Sequence, residues 1–239
     1  ISNNLANVNT TGFKRDRAVF EDLLYQNVRQ AGGQTGANTQ APTGLMLGTG
    51  VRVVATEKQH AQGNMVNTTN PLDLAIAGEG FFQVAQPDGT IGYTRDGNFI
   101  LSNTGQIVTA SGALLQPAIT IPTTASTVTF GRDGTVSIEL TAGGSQVIGQ
   151  IQLARFVNPS GLESKGQNLL KETPASGAPQ VLQPGTTGAG SLMQGTLEAS
   201  NVNVVEEMVN MIETQRAYEI NSKSIEAVDG MLKYLNQNL

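Results

Sequence analysis

Cysteine is absent from this 239-residue chain, which excludes a disulfide framework and any thiolate-based metal or redox site. Charge is scarce: Asp, Glu, Lys and Arg make up 14% of the residues, against roughly 25% in ordinary soluble domains. The 14 basic and 19 acidic residues leave a net charge of −5, and no basic block is longer than KRDR at 14–17. Nucleic-acid binding by phosphate neutralisation is therefore not expected. A surface so poor in charge is weakly protected against association, which points to assembly, with a secreted β-protein as the alternative. No apolar run approaches the roughly 20 residues that span a bilayer, so the chain is not expected to be membrane-spanning. No charged, apolar and then small-residue leader opens it. The chain begins at Ile1 rather than Met, and an earlier natural start is expected.

Recognisable reaction chemistry is also missing. The single histidine, His60, lies in a Gln-rich stretch with no second His or Cys beside it. Gly78-x-Gly80 and Gly48-x-Gly50 each lack the third glycine of a dinucleotide fingerprint, and no GxxxxGK[ST] loop occurs. Asp88, Asp96 and Asp133 each precede a glycine, where turn geometry accounts for them better than calcium binding or a glycosidase pair does. No serine sits in GxSxG. We therefore expect no catalytic residue, no cofactor and no metal.

What is present falls into four parts. In 1–29, Ile1, Leu5 and Val8 share one face at helical spacing, and Asn9 and Gly12 suit the end of a helix. A second amphipathic stretch over 13–28 places Val19, Phe20, Leu23, Leu24 and Val28 at helix-compatible positions. Residues 30–71 begin with a Gly/Gln-rich strap, six glycines and one proline in 30–50, that includes Gly32, Gly33, Pro42, Leu45, Met46 and Leu47. Such a strap buries too little apolar surface to offset its ordering entropy alone. The arm that follows alternates Val51, Val53 and Ala55 against Arg52, Val54 and Thr56. Residues 72–195 hold short apolar runs separated by Asp-Gly and Asn-x-Gly turns at intervals typical of an all-β meander or barrel-like domain. In 196–239 Asn203 is a candidate N-cap with Glu206 at the third helical position.

Positions 211, 214, 218, 221, 225, 228, 232, 235 and 239 then form a seven-residue repeat. Its apolar members are Met211, Tyr218, Ile225, Val228, Leu232, Leu235 and Leu239. Met208, Met211 and Met231 suit core packing. Asn-Val-Asn occurs at 7–9 and again at 201–203. Matched helix caps would place the two chain ends side by side, whereas chance recurrence in an Asn-rich chain needs no such contact. The expected fold is mixed α and β: N- and C-terminal helices pairing in a coiled-coil stem, an extended arm, and an inserted all-β domain.

Three stretches carry a family resemblance. ISNNLANVNTTGFKR at 1–15 resembles the signature of bacterial flagellar rod and hook proteins, and ASNVNVVEEMVNMIETQRAYEINSKSI at 199–225 resembles their C-terminal motif. AIAGEGFFQV followed by YTRDGNF resembles the opening of the β-domain of this axial family. The strap after FEDLLYQ, followed by GLMLGTGVRVVATEKQHAQGN, is similar to the distal-rod branch, with hook and proximal-rod proteins as the alternative. The resemblance implies a homo-oligomeric helical filament, a drive shaft that transmits torque from motor to hook. The implied location is the basal body between periplasm and outer membrane, reached by type III export without a cleaved signal. Implied partners are other rod and hook proteins and the surrounding basal-body rings. A secreted cell-wall-active enzyme or an adhesive β-protein is the competing class.

Overall fold

The computed structural model describes residues 1–32, 34–36, 39–40, 42–141 and 143–237. The chain is mostly β, with two α-helices among the described residues: α1, Ser2–Ala6, and α2, Val204–Gln237. It divides into two compact units: Asp16–Gln59, and Ile1–Arg15 together with the chain from His60 onward.

The larger unit is built on the strand Phe81–Ala85. One edge pairs antiparallel with Ile91–Thr94, and the other is shared by Leu114–Gln116 and Leu153–Arg155. Ile107–Thr109 and Phe99–Leu101 extend the sheet on one side, and Leu169–Lys171 and Glu163–Gly166 extend it on the other. Because side chains alternate across a strand, Phe82 and Val84 enter the main core with Leu74, Ile76, Phe99 and Leu115. Phe81 points to the other face, into a smaller core with Tyr93, Phe156 and Leu170. Phe82 meets Phe99 edge to face at 5.2 Å, and Tyr93 meets Phe156 at 4.8 Å. A fully buried Phe82 contributes roughly 2–3 kcal/mol by area alone. A three-stranded sheet, Ala125–Phe130, Thr135–Leu140 and Ser145–Gln150, adds Phe130, Val136 and Ile138 to the main core.

Turn chemistry sets the reversals. Asp88 Oδ1 accepts the Thr90 N–H at 3.0 Å, Asp133 Oδ1 accepts the Thr135 N–H at 3.1 Å, and Asp96 Oδ1 accepts the Asn98 N–H at 3.1 Å. Hydrogen bonds from the Thr90 and Thr135 hydroxyls, then from Lys165 at Asp88, and then these backbone N–H bonds hold the Asp88 and Asp133 carboxyls below the usual carboxylate range. At Gly97 the Leu74 N–H donates to the glycine carbonyl at 3.0 Å, and a Cβ would lie 1.5 Å from Leu74 O.

The smaller unit consists of two-stranded ribbons: Asp16–Asp22 with Val51–Lys58, Tyr25–Arg29 with Leu45–Gly48, and Gln34–Gly36 with Thr39–Gln40. In the first ribbon, Arg17 pairs with Glu57 and Glu21 with Arg52 on one face, while Phe20 stands opposite Val53 on the other. Phe20, Val51 and Val53 are all about 60% exposed or close to it (60%, 62% and 59%), so the ribbon has an apolar face uncovered within this chain.

The coiled-coil stem is corrected by these observations. The stretch 13–28, expected as an amphipathic helix, forms strands, because Val51–Lys58 offers it β-branched and oppositely charged cross-strand partners. The spacing of Val19, Phe20, Leu23 and Leu24 does not discriminate between the two periods. At the N-terminus α1 is limited to Ser2–Ala6 by its asparagines: Asn7 Nδ2 turns back to Asn3 O at 2.9 Å and Asn3 Oδ1 at 2.7 Å. A helix this short cannot pair along α2, whose residues from Ile212 to Gln237 are exposed throughout.

Candidate functional site: a buried ionic junction and an exposed helix

Residues 11–15, 60–64, 95–96 and 198–207 meet in the larger unit. Gly12, at φ +67°, brings its bare backbone against the Arg95–Asp96 peptide, where a Cβ would lie 2.6 Å from Asp96 N, and its N–H donates to Glu198 O at 2.8 Å. It is a crossing point between chain segments, and α1 has already ended at Ala6. Thr11 is held from both sides: its hydroxyl donates to Asp96 Oδ1 at 2.9 Å, and its carbonyl accepts from Asn168 Nδ2 at 3.2 Å.

Next along the chain, Lys14 donates to Glu198 Oε1 at 2.5 Å and to Ala61 O at 2.8 Å. Glu198 Oε1 also accepts the Gly63 N–H at 2.9 Å, and its Oε2 accepts from Arg95 Nη1 at 3.2 Å. Arg95 further donates to Gly78 O at 2.7 Å and stands over the Phe81 ring at 5.4 Å. Lys14, Arg95 and Glu198 are all buried. Burial pulls the Lys14 ammonium below its ordinary 10.5 in spite of Glu198, and Arg95 below 12.5.

Arg15 ties the same segment to α2. Its backbone N–H donates to Asn201 Oδ1 at 2.8 Å and its Nη1 to Glu206 Oε1 at 2.7 Å. Its Nε forms an ion pair with the buried Glu207 at 2.7 Å, off the line of a hydrogen bond. Three cations, Lys14, Arg15 and Arg95, thus face three carboxylates, Glu198, Glu206 and Glu207. Desolvation offsets most of the attraction in such a cluster, so its value lies in directional geometry rather than net stability.

Beyond the junction α2 leaves its apolar side chains in solvent. Of the seam positions, Met211 is half-buried, while Tyr218 (77%), Ile225 (70%), Val228, Leu232 and Leu235 are exposed. Met208 and Met231 are exposed rather than core residues. At about 100° per residue, the exposed Val205, Met208, Val209 and Ile212 centre about 170° away from Ile225, Val228, Leu232 and Leu235. Two of the earlier seam positions, Thr214 and Asn221, are polar. Ile220 and Tyr234, also exposed, lie nearer the Val205 side and Met231 lies between, so α2 presents apolar surface on more than one side.

The other sequence-derived positions are placed as follows. Asn203 Oδ1 accepts the Val205 N–H at 3.0 Å and the Glu206 N–H at 3.5 Å, as a cap does, whereas the Glu206 side chain engages Arg15 instead of completing a capping box. Ile1 and Asn9 are exposed, and Leu5 and Val8 are half-buried. Gly32 and Pro42 are exposed, and Leu45, Met46 and Leu47 lie exposed in the strand opposite Tyr25–Arg29. Gly33 and Leu239 fall outside the described residues. Lys14, Arg15, Arg95, Glu198 and Glu207 were not singled out from sequence, although in so charge-poor a chain the flanking KR and EE pairs were a usable signal. Among the described residues no cluster of His, Asp and Glu could hold a metal ion, and no helix is long and apolar enough to cross a membrane.

Three family models match the chain: the flagellar hook protein FlgE/F/G D1 domain over 75–138, the flagellar basal body rod FlgEFG protein C-terminal region over 193–238, and the flagella basal body rod protein over 1–14. The flagellar basal-body rod protein FlgG of Buchnera aphidicola subsp. Acyrthosiphon pisum is 56% identical over 99% of this chain and 92% of its own length. The FlgG of Caulobacter vibrioides is 48% identical over 99% of this chain and 91% of its own. The FlgF of the same organism is 38% identical over 95% and 84%. The chain belongs to the FlgG family of flagellar basal-body rod proteins. The junction joins segments covered by all three family models, 1–14, 75–138 and 193–238.

Proposed function

We propose that this chain is a structural subunit of the flagellar distal rod, polymerising into a stiff tube that transmits torque from motor to hook. Its work is mechanical rather than catalytic. Its partners are further copies of itself, the adjoining rod and hook proteins, and the ring proteins around the rod. Its place is the basal body between periplasm and outer membrane, reached through the flagellar export channel without a cleaved leader.

One observation supports this reading above the rest: α2 carries exposed apolar residues along its whole described length, and they lie on more than one side of the helix. A helix with one apolar stripe is satisfied by one partner. A helix with apolar residues on two sides meets one neighbour with Val205, Met208 and Ile212 and another with Ile225, Val228, Leu232 and Leu235. Such head-to-tail contacts do not close on themselves and generate a filament. Burying Ile225 or Leu232 completely contributes roughly 1.5–3 kcal/mol each.

The ribbons fit the same picture. An isolated two-stranded ribbon is marginal in water, yet this one exposes Phe20, Val51 and Val53 on one face and an ion-paired ladder on the other. The strap and arm, 30–71, lie against adjacent copies and restrict their relative rotation, which supplies stiffness. Deleting 30–43 is expected to yield curved or softer filaments, and unchanged bending stiffness would count against this role for the strap. Negative-stain imaging of the concentrated protein tests the whole proposal, with filaments expected and dispersed monomers at every concentration refuting it.

A further inference from the structure

We infer that Lys14, Glu198 and Arg95, with Arg15, are positioning residues that fix the direction in which α2 leaves the β-body. For its consequence in assembly, the inference rests on the rod reading above. The three buried members present almost no surface to a partner, so any effect they have on assembly must pass through the shape of the subunit.

The path from junction to helix is short and pinned throughout. Only residues 199–203 separate Glu198 from the first residue of α2. Ala199 N–H donates to Asn64 O at 2.8 Å, and Asn201 Nδ2 donates to Ala61 O at 3.0 Å. Val202 is buried, and its N–H donates to Ser200 Oγ at 3.2 Å. Ala61 O accepts from both Lys14 Nζ and Asn201 Nδ2, so one carbonyl joins the anchor to the exit segment. The neighbouring residues Lys14 and Arg15 then reach opposite ways: Lys14 into the body at Glu198, Arg15 to Glu206 and Glu207 in the first turn of α2.

Lever arithmetic makes direction decisive. A 34-residue helix is about 51 Å long at 1.5 Å per residue, so an error of about 10° at its base moves its tip by about 9 Å. Packed helices sit about 8–10 Å apart, and a misdirected α2 would miss its neighbour altogether. Hydrophobic contact is non-directional, whereas charge-assisted hydrogen bonds fix angles, which accounts for a costly ionic cluster at this place.

The absence of cysteine permits a direct test. Ser111→Cys and Glu226→Cys, both at exposed positions, carry spin labels for pulsed distance measurement in the full chain, alone and combined with Lys14→Met or Arg15→Met. Glu226 lies about 33 Å along α2, so a swing of about 10° moves it by about 6 Å. The parent pair should give a narrow distribution, and each variant a distribution broadened or shifted by about that much, with filament yield falling in parallel. Arg15→Met leaves the buried Lys14, Arg95 and Glu198 pairs intact and keeps the test valid should Lys14→Met fold poorly. An unchanged distribution in Arg15→Met, and in Lys14→Met where it folds, overturns the positioning role even where the parent forms filaments. A distribution that changes as expected in a parent that never forms filaments upholds positioning and refutes the rod reading instead.

Discussion

Glu198→Gln removes the negative charge from a carboxylate that is fully shielded from solvent and accepts three hydrogen bonds, from Lys14, Arg95 and the Gly63 N–H. Breaking a buried pair by deleting one partner costs about 3–5 kcal/mol. Gln keeps one acceptor oxygen but turns an amide N–H₂ toward a cation, so a loss of about 3 kcal/mol is expected near pH 6. For a chain of this size that lowers Tm by about 6–12 °C. The two stranded cations respond differently to pH. Arg95 stays charged, because a guanidinium is not deprotonated in proteins. Lys14 is already pulled below 10.5 by burial, and loss of the Glu198 charge pulls it further. Between that depressed value and 10.5 the unfolded variant binds more protons than the folded one, so its stability rises with pH. In wild type, Glu198 holds the Lys14 proton longer and the same rise begins later. The gap between variant and wild type should therefore narrow as pH rises toward 10.5. Urea denaturation followed by circular dichroism measures it, since the chain has no Trp. A gap below about 1 kcal/mol at the lower pH, or one that does not narrow, would refute the account of the junction.

Gly97→Ala forces a Cβ to within 1.5 Å of Leu74 O; urea denaturation should show a loss of about 3 kcal/mol or more, since the fully buried Leu74 must shift. Tyr93→Phe should flatten the alkaline limb of stability: the Tyr93 hydroxyl is pushed up to about 12 by burial and then by Glu172, so between pH 10 and 12 the folded chain keeps a proton that the unfolded chain has released, and stability falls as pH rises. Because Glu172, which accepts that hydroxyl's hydrogen bond, is exposed, the effect is about 1 kcal/mol rather than the full shift, read as the difference between wild-type and variant denaturation at pH 9 and pH 12. Gly230 has nothing within 4 Å of a would-be Cβ, so Gly230→Ala should stabilise the end of α2 by about 1 kcal/mol and slow amide exchange around it; unchanged exchange would argue against a solvated helix there.

Family and role were legible because the terminal motifs are long and specific. The Asp-Gly turns were legible because Asp88 and Asp133 form local hydrogen bonds that their own sequence neighbourhood dictates. The stem was not: Val19, Phe20, Leu23 and Leu24 satisfy a helical period, and strand pairing with Val51–Lys58, some thirty residues on, overrode it. Nor did spacing reveal why the two Asn-Val-Asn segments matter. The structure brings the segments that follow and precede them together at Gly12, Lys14, Glu198 and Asn201, through contacts between residues more than 180 positions apart. Such pairings are invisible to any local pattern. The seam on α2 was read as one stripe, and the spacing gave no sign of the exposed Val205, Met208, Val209 and Ile212 on the opposite side of the helix.

The central claim is that α2 joins copies of this chain through apolar surfaces left open in the monomer. Negative-stain imaging and sedimentation of the concentrated wild-type protein beside an Ile225→Ser, Leu232→Ser variant test it most directly. We predict filaments from wild type and a dispersed, still helical variant. Filaments from both, or a wild type that stays monomeric at every concentration, would contradict it.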